Sequence, residues 1–118
     1  MADHGGLSMA LEAYLHWRQY NNDVRLPAIP FDDMQLFFLG KHYFYPSLPV
    51  LPVSWPGYAL PWCARHTDKH STHQILNDEH APERFRVLGP LSNNPAFASA
   101  FSCPANTPMN PQHKCRIW

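Results

Sequence analysis

The sequence predicts a mainly α chain with a Pro-rich irregular insert and at most a short strand pair. Three observations carry that expectation. A Pro-free stretch from Leu7 to about Asn22 has helical periodicity, and helix-capping residues recur at Asp32, at Thr67 or Asp68, and at Asn94. A single short run, Phe85-Arg86-Val87-Leu88, has the composition of a strand. The third observation is proline: 13 in 118 residues, roughly twice the usual share of about 5%. An interior Pro removes a backbone donor and costs about 3 kcal/mol, so long helices are confined to the Pro-poor stretches.

In the first helix Leu7, Ala10, Leu11, Tyr14 and Trp17 share one face, while Glu12, His16 and Gln19 fall elsewhere. Asp3 lies just ahead of it, where a carboxylate accepts first-turn N–H groups, and Asn21-Asn22-Asp23 supplies a stop. Pro27 and Pro30 fix an extended connector. A second helix signal runs from Asp32 to Leu39, with Asp32 and Gln35 at the spacing of a capping box and Gly40 closing it early. Between Gly40 and Pro61, five prolines (Pro46, Pro49, Pro52, Pro56 and Pro61) are interleaved with apolar and aromatic residues. Their spacing suits polyproline II and an aromatic groove of the SH3 or WW type. An irregular apolar loop accounts for the same residues, and Lys41 is too distant to serve as a basic anchor. Thr67 or Asp68 caps a third helix running to about Asn77. Phe85–Leu88 is a strand candidate ending at Gly89-Pro90. Asn94-Pro95 then places a cap and a first-turn Pro ahead of Ala96–Phe101, with Phe97 and Phe101 at i, i+4.

Nine Lys+Arg balance nine Asp+Glu, and no basic run stands out. That excludes recognition of nucleic acid or anionic membrane by bulk charge. An apolar share of 45% is too high for a disordered chain. No apolar run approaches the roughly 20 residues of a bilayer span. The first six residues lack the basic start and apolar run of a secretory signal. Eight histidines invite a metal: Cys63, His66, His70 and His73 follow C-x2-H-x3-H-x2-H, and imidazoles one helical turn apart can chelate a divalent ion. Solvated surface histidines explain the same spacing. His-Glu-x-x-His, Gly-x-Ser-x-Gly and phosphate-binding Gly loops are all absent. Three cysteines, Cys63, Cys103 and Cys115, form no Cys-x-x-Cys, and their odd number points to a partner elsewhere.

Longer segments carry more information. His80-Ala81-Pro82-Glu83-Arg84-Phe85-Arg86-Val87-Leu88-Gly89-Pro90-Leu91-Ser92-Asn93, Pro95 to Cys103, and the closing Pro108-Met109-Asn110-Pro111-Gln112-His113-Lys114-Cys115-Arg116-Ile117-Trp118 resemble the C-terminal end of the neprilysin and endothelin-converting-enzyme family of zinc metallopeptidases. Ala2 to Leu7, Gln35 to Leu39 and Trp62-Cys63 match the same family in the same order. The resemblance covers everything except roughly Gly40 to Pro61. It implies that residues 1–118 are the C-terminal part of a thermolysin-like zinc-peptidase catalytic domain, acting on peptides in an extracellular or cell-surface ectodomain.

By position, the resemblance makes Asp3 the carboxylate that orients a zinc-ligand histidine, a contact that raises ligand basicity. The family's ligand Glu would stand four residues before Asp3, ahead of Met1, and the His-Glu-x-x-His motif farther back. Zinc is therefore expected in a complete enzyme and not on this chain. His80 matches the histidine that stabilises the oxyanion. Arg86 matches the arginine that binds substrate backbone carbonyls. Trp62 matches a residue near the pocket for the side chain after the scissile bond. Cys63, Cys103 and Cys115 match cysteines bonded to earlier parts of the ectodomain. One departure stands out. About five residues normally link Leu-Phe-Phe-Leu to Trp-Cys by a continuing helix, whereas 22 do so here. This insert is expected to interrupt the helix and displace Trp62 and Cys63. From a different class, a non-catalytic interaction module would use the polyproline stretch, or the Cys63/His66/His70/His73 cluster as a metal site.

Overall fold

The computed structural model describes residues 2–21, 27–39, 58–59 and 62–115. Among them run five helices: α1 (Ala2–Tyr20), α2 (Asp33–Leu39), α3 (Asp68–Asn77), α4 (Glu83–Asn93) and α5 (Pro95–Ala100). The only β pairing among the described residues is an isolated bridge between Thr107 and Asn110. The chain is mainly helical, as the sequence predicts.

Helix α1 buries Gly5, Leu7 and Leu11 and packs on α4, while α2 and α4 both pack on α5. The core is the cluster Leu7, Leu11, Phe38 and Leu91, with Phe38 fully buried. Phe38 meets Phe37 and Phe97 edge-on, at ring-centroid distances of 5.1 and 5.4 Å, the geometry that aromatic quadrupoles favour. The predicted capping box closes α2. The Gln35 N–H donates to the Asp32 carboxylate at 2.8 Å, and the Asp32 N–H donates to Gln35 Oε1 at 2.9 Å. The Gln35 amide also donates to the Ala100 carbonyl, tying α2 to the end of α5. Asn94 is buried between α4 and α5 and caps α5 as predicted, accepting from the N–H groups of Ala96 and Phe97. Thr67 caps α3 by accepting the His70 N–H.

Two local expectations are corrected. Helix α1 begins at Ala2 rather than Leu7, so Asp3 lies inside the helix instead of capping it; its carboxylate is used by Arg86. The strand candidate Phe85–Leu88 is the middle of α4. The N–H groups of Phe85 and Arg86 both donate to the Pro82 carbonyl, starting a helical turn. Val87 and Leu91, at i, i+4, then face the core. Four residues with one β-branched side chain were too short a signal against that burial. Pro90 lies within α4 and is buried. It lacks the N–H that would meet the Arg86 carbonyl four residues back, and the Tyr58 hydroxyl donates to that carbonyl instead.

The polyproline reading of the stretch from Gly40 to Pro61 lies outside the described residues, except at Tyr58 and Ala59. Asn21 stops α1, its side-chain amide donating to the Trp17 carbonyl; Asn22 and Asp23 lie outside the described residues. After α5 the chain turns at Ser102 and Asn106, with φ of 49° and 64°. It is fastened back by Lys114 Nζ donating to the Ser92 carbonyl and by the Cys115 N–H donating to Asn93 Oδ1.

Candidate functional site

The packing of α1 on α4 sets two first turns side by side, and their charged residues meet. Arg86 Nε donates to Asp3 Oδ2 at 2.8 Å and Nη2 donates to Asp3 Oδ1 at 2.7 Å. This is the two-pronged geometry that a planar guanidinium offers a carboxylate. Both side chains are largely covered, at 24% and 21% exposure. Trp62 packs against the guanidinium, with Arg86 Cζ 3.9 Å from its ring centroid, a close cation–π contact. Tyr58 holds the backbone of Arg86 through its carbonyl. Asp3, Tyr58, Trp62 and Arg86 therefore form one constellation, in which Asp3 and Trp62 hold the guanidinium and Tyr58 holds the backbone.

The electrostatics follow from this contact. The Arg86 hydrogen bonds, aided by its charge, hold the Asp3 carboxyl below the ordinary carboxylate value against the opposing effect of burial. His80 adds in the same direction at longer range. The same hydrogen bonds push the Arg86 guanidinium further up. Burial, and then the Asp3 charge, raises the Tyr58 phenol to about 12, so its hydroxyl stays a donor.

His80 stands in the loop between α3 and α4. The Asp78 carboxylate accepts its backbone N–H at 2.8 Å and lies 3.0 Å from its Nδ1. Those two bonds, the backbone one first, keep the Asp78 carboxyl low. They also turn Nε2 of the ring away from the carboxylate that holds Nδ1. His80 lines an open hollow of about 320 Å³ with His73, Asn77, Asp78 and Glu79. Sequence reasoning missed two members of this site. Asp78 was signalled by its Asp-x-His spacing to His80. Tyr58 had no signal, because it belongs to the atypical stretch.

Of the sequence-predicted residues, Asp3, Arg86 and Trp62 come together. The expected displacement of Trp62 does not separate it from Arg86. Cys63 and Cys115 are exposed and Cys103 is half-buried, and all three are free thiols. His66 stacks on His70 at 4.5 Å and lies 3.3 Å from Glu83. No group of three His, Cys, Asp or Glu side chains able to hold a metal occurs among the described residues. Neither the Cys63/His66/His70/His73 spacing nor the Asp3–His80 region thus presents a zinc-ligand set. None of the described helices is long and apolar enough to cross a membrane.

The sequence of the chain has known relatives. The family model for peptidase family M13 matches residues 52–117. An endothelin-converting enzyme homolog of Locusta migratoria is 41% identical over 119 aligned positions, endothelin-converting enzyme 1 of Cavia porcellus 39% over 119, and neprilysin-21 of Caenorhabditis elegans 38% over 122. Each alignment takes in the whole of this chain and 14% of the relative. The chain belongs to peptidase family M13. It spans about one-seventh of the length of these curated relatives.

Proposed function

We propose that this chain is the substrate-positioning portion of a neprilysin-like zinc metalloendopeptidase domain, and that by itself it neither holds zinc tightly nor cleaves peptides. The observation that carries the reading is the Asp3–Arg86–Trp62 constellation. A guanidinium has five N–H donors, and Asp3 engages two of the three nitrogens. The donors that remain suit the carbonyl oxygens of an extended peptide, and Trp62 lays an apolar wall beside them. Asp3 retains lone pairs on both oxygens, enough to orient a further imidazole supplied by another part of the domain. His80 donates Nδ1–H to the Asp78 carboxylate, and in its doubly protonated form, with Asp78 balancing the charge, it presents Nε2–H to an oxyanion developing on a peptide carbonyl. In that reading Asp78 positions His80 and Tyr58 positions Arg86.

The described residues do not fit zinc, and no catalytic step is assigned to a metal on this chain. Exposed apolar side chains also favour a part over a whole domain: Met9, Leu76 and Phe85 are 74%, 74% and 62% accessible. The three free thiols suit bonds to other segments of an extracellular or cell-surface ectodomain, again by family likeness.

The test has two arms. The purified 118-residue chain is expected to release no chelator-sensitive product from a short peptide and no binding heat on calorimetric titration with zinc. Cleavage would sink the claim that it is inactive alone, and stoichiometric zinc uptake the claim that it does not hold zinc tightly. In an extended chain carrying a His-Glu-x-x-His segment ahead of Ala2, Arg86→Lys is expected to raise KM for peptides by tenfold or more, about 1.4 kcal/mol of lost binding. An unchanged KM removes Arg86 from substrate binding.

A further inference from the structure

Helix α2 ends at Leu39, yet the carbonyls of its last turn are not left open. The Tyr58 N–H donates to the Phe37 carbonyl at 3.3 Å, and the Ala59 N–H donates to the Phe38 carbonyl at 3.1 Å. In an uninterrupted α-helix those carbonyls take the N–H groups four residues on, which here means residues 41 and 42. Tyr58 and Ala59 each stand seventeen positions beyond those places. Two successive carbonyls are thus met by two successive donors at one common offset. A chain returning antiparallel to the helix would meet them in the reverse order.

We infer that residues 41–57 are a register-preserving insertion in a helix that otherwise passes from Asp33 through Gly40 directly into Tyr58 and Ala59. What lies beyond the insertion is placed by the point where the ladder resumes. The Trp62 N–H donates to the Ala59 carbonyl at 3.1 Å, a tight turn that delivers the indole to Arg86. Tyr58, one position past the insertion, delivers its hydroxyl to the Arg86 carbonyl. The clamp around Arg86 therefore depends on the two ends of the insertion and not on the seventeen residues between them. Without the insertion the helix stops soon after Ala59, because Pro61 has no N–H to continue it and disfavours helical geometry at the residue before it. The physical cost of the insertion is mainly loop closure, which grows only with the logarithm of loop length. That explains how a stretch with four aromatic residues and four prolines is accommodated between α2 and Tyr58 while both backbone bonds are kept.

The experiment compares four chains: the full chain, a chain lacking residues 41–57, a chain lacking residues 41–58, and a full-length chain whose residues 41–57 are replaced by a Gly/Ser linker of equal length. Each is followed by thermal unfolding and by the Nε–H NMR signal of Arg86, assigned through Arg86→Lys. The seventeen-residue excision is expected to keep the Arg86 signal at its full-chain position and to raise the thermal midpoint. The linker chain should keep the signal as well. The eighteen-residue excision removes Tyr58 and turns every following residue by about 100° around the helix axis, so its signal should shift or vanish. Loss of the signal in the seventeen-residue excision or in the linker chain would overturn the inference. So would an eighteen-residue excision indistinguishable from the seventeen-residue one.

Discussion

Helices α3 and α5 are held in opposite ways, and the shorter is the better anchored. Helix α5 has six residues, far fewer than an isolated helix needs in water. It exists because buried Asn94 satisfies two of its open N–H groups, Pro95 presets its first turn, and Phe97 stacks edge-on against Phe38. Helix α3 has ten residues and a threonine cap, and buries none of them. Its Ile75 and Leu76 are 67% and 74% exposed. Glu83 of α4 is reached by Gln74 of α3 and lies 3.3 Å from His66, just ahead of that helix. Local chemistry makes α3 a helix; tertiary burial makes α5 one.

The largest effect that separates the two comes from the core. Phe38→Ala removes a ring with no exposed surface, and the expected cost is about 3–5 kcal/mol. Urea unfolding followed by circular dichroism should show a much lower midpoint. Amide exchange should quicken in α1, α2, α4 and α5 together while α3 changes little. Equal loss of protection in α3 would mean that it shares the core's cooperativity.

A smaller effect tests the bridge between α1 and α4. The Arg86 contact holds the Asp3 carboxyl below its ordinary value of 3.8. A depressed folded value means that the carboxylate's contribution is complete above the unfolded value and drains away as pH falls through the folded one. Stability should therefore drop as the medium is acidified below about pH 4. Asp78 and Glu83, also held low by hydrogen bonds, act in the same direction. Asp3→Asn should remove part of this dependence, so unfolding midpoints measured from pH 5 to pH 2 should fall less steeply in the variant. Parallel curves would show that the pair adds nothing to stability.

What the sequence made legible follows this local-against-tertiary division. The capping box at Asp32 and Gln35, the cap at Thr67 and the Asn94-Pro95 start are contacts over two or three residues, and each stands where its spacing placed it. The helical state of Phe85–Leu88 was not legible, because it depends on Val87 and Leu91 meeting a core assembled from distant residues. Asp3 was singled out through family likeness, but its bond to Arg86 spans 83 positions and has no local signature. Tyr58 was hidden most completely, because its role depends on a carbonyl that Pro90 leaves free in another helix.

The smallest effect is the one that defines α3 most sharply. Thr67→Ala removes the oxygen that accepts the His70 N–H and is expected to cost the helix about 1 kcal/mol. Since α3 contributes no buried residue, that loss should appear as local fraying rather than as a lower global midpoint. Amide exchange at His70 and Ser71, whose N–H groups are met by Thr67, should accelerate about fivefold, the kinetic equivalent of that energy. The urea midpoint should stay where it was. Should the midpoint move with the cap, the Glu83 contacts would be transmitting the strength of α3 into α4. The loop carrying Asp78 and His80 would then be stabilised from the α3 side as well as from the core.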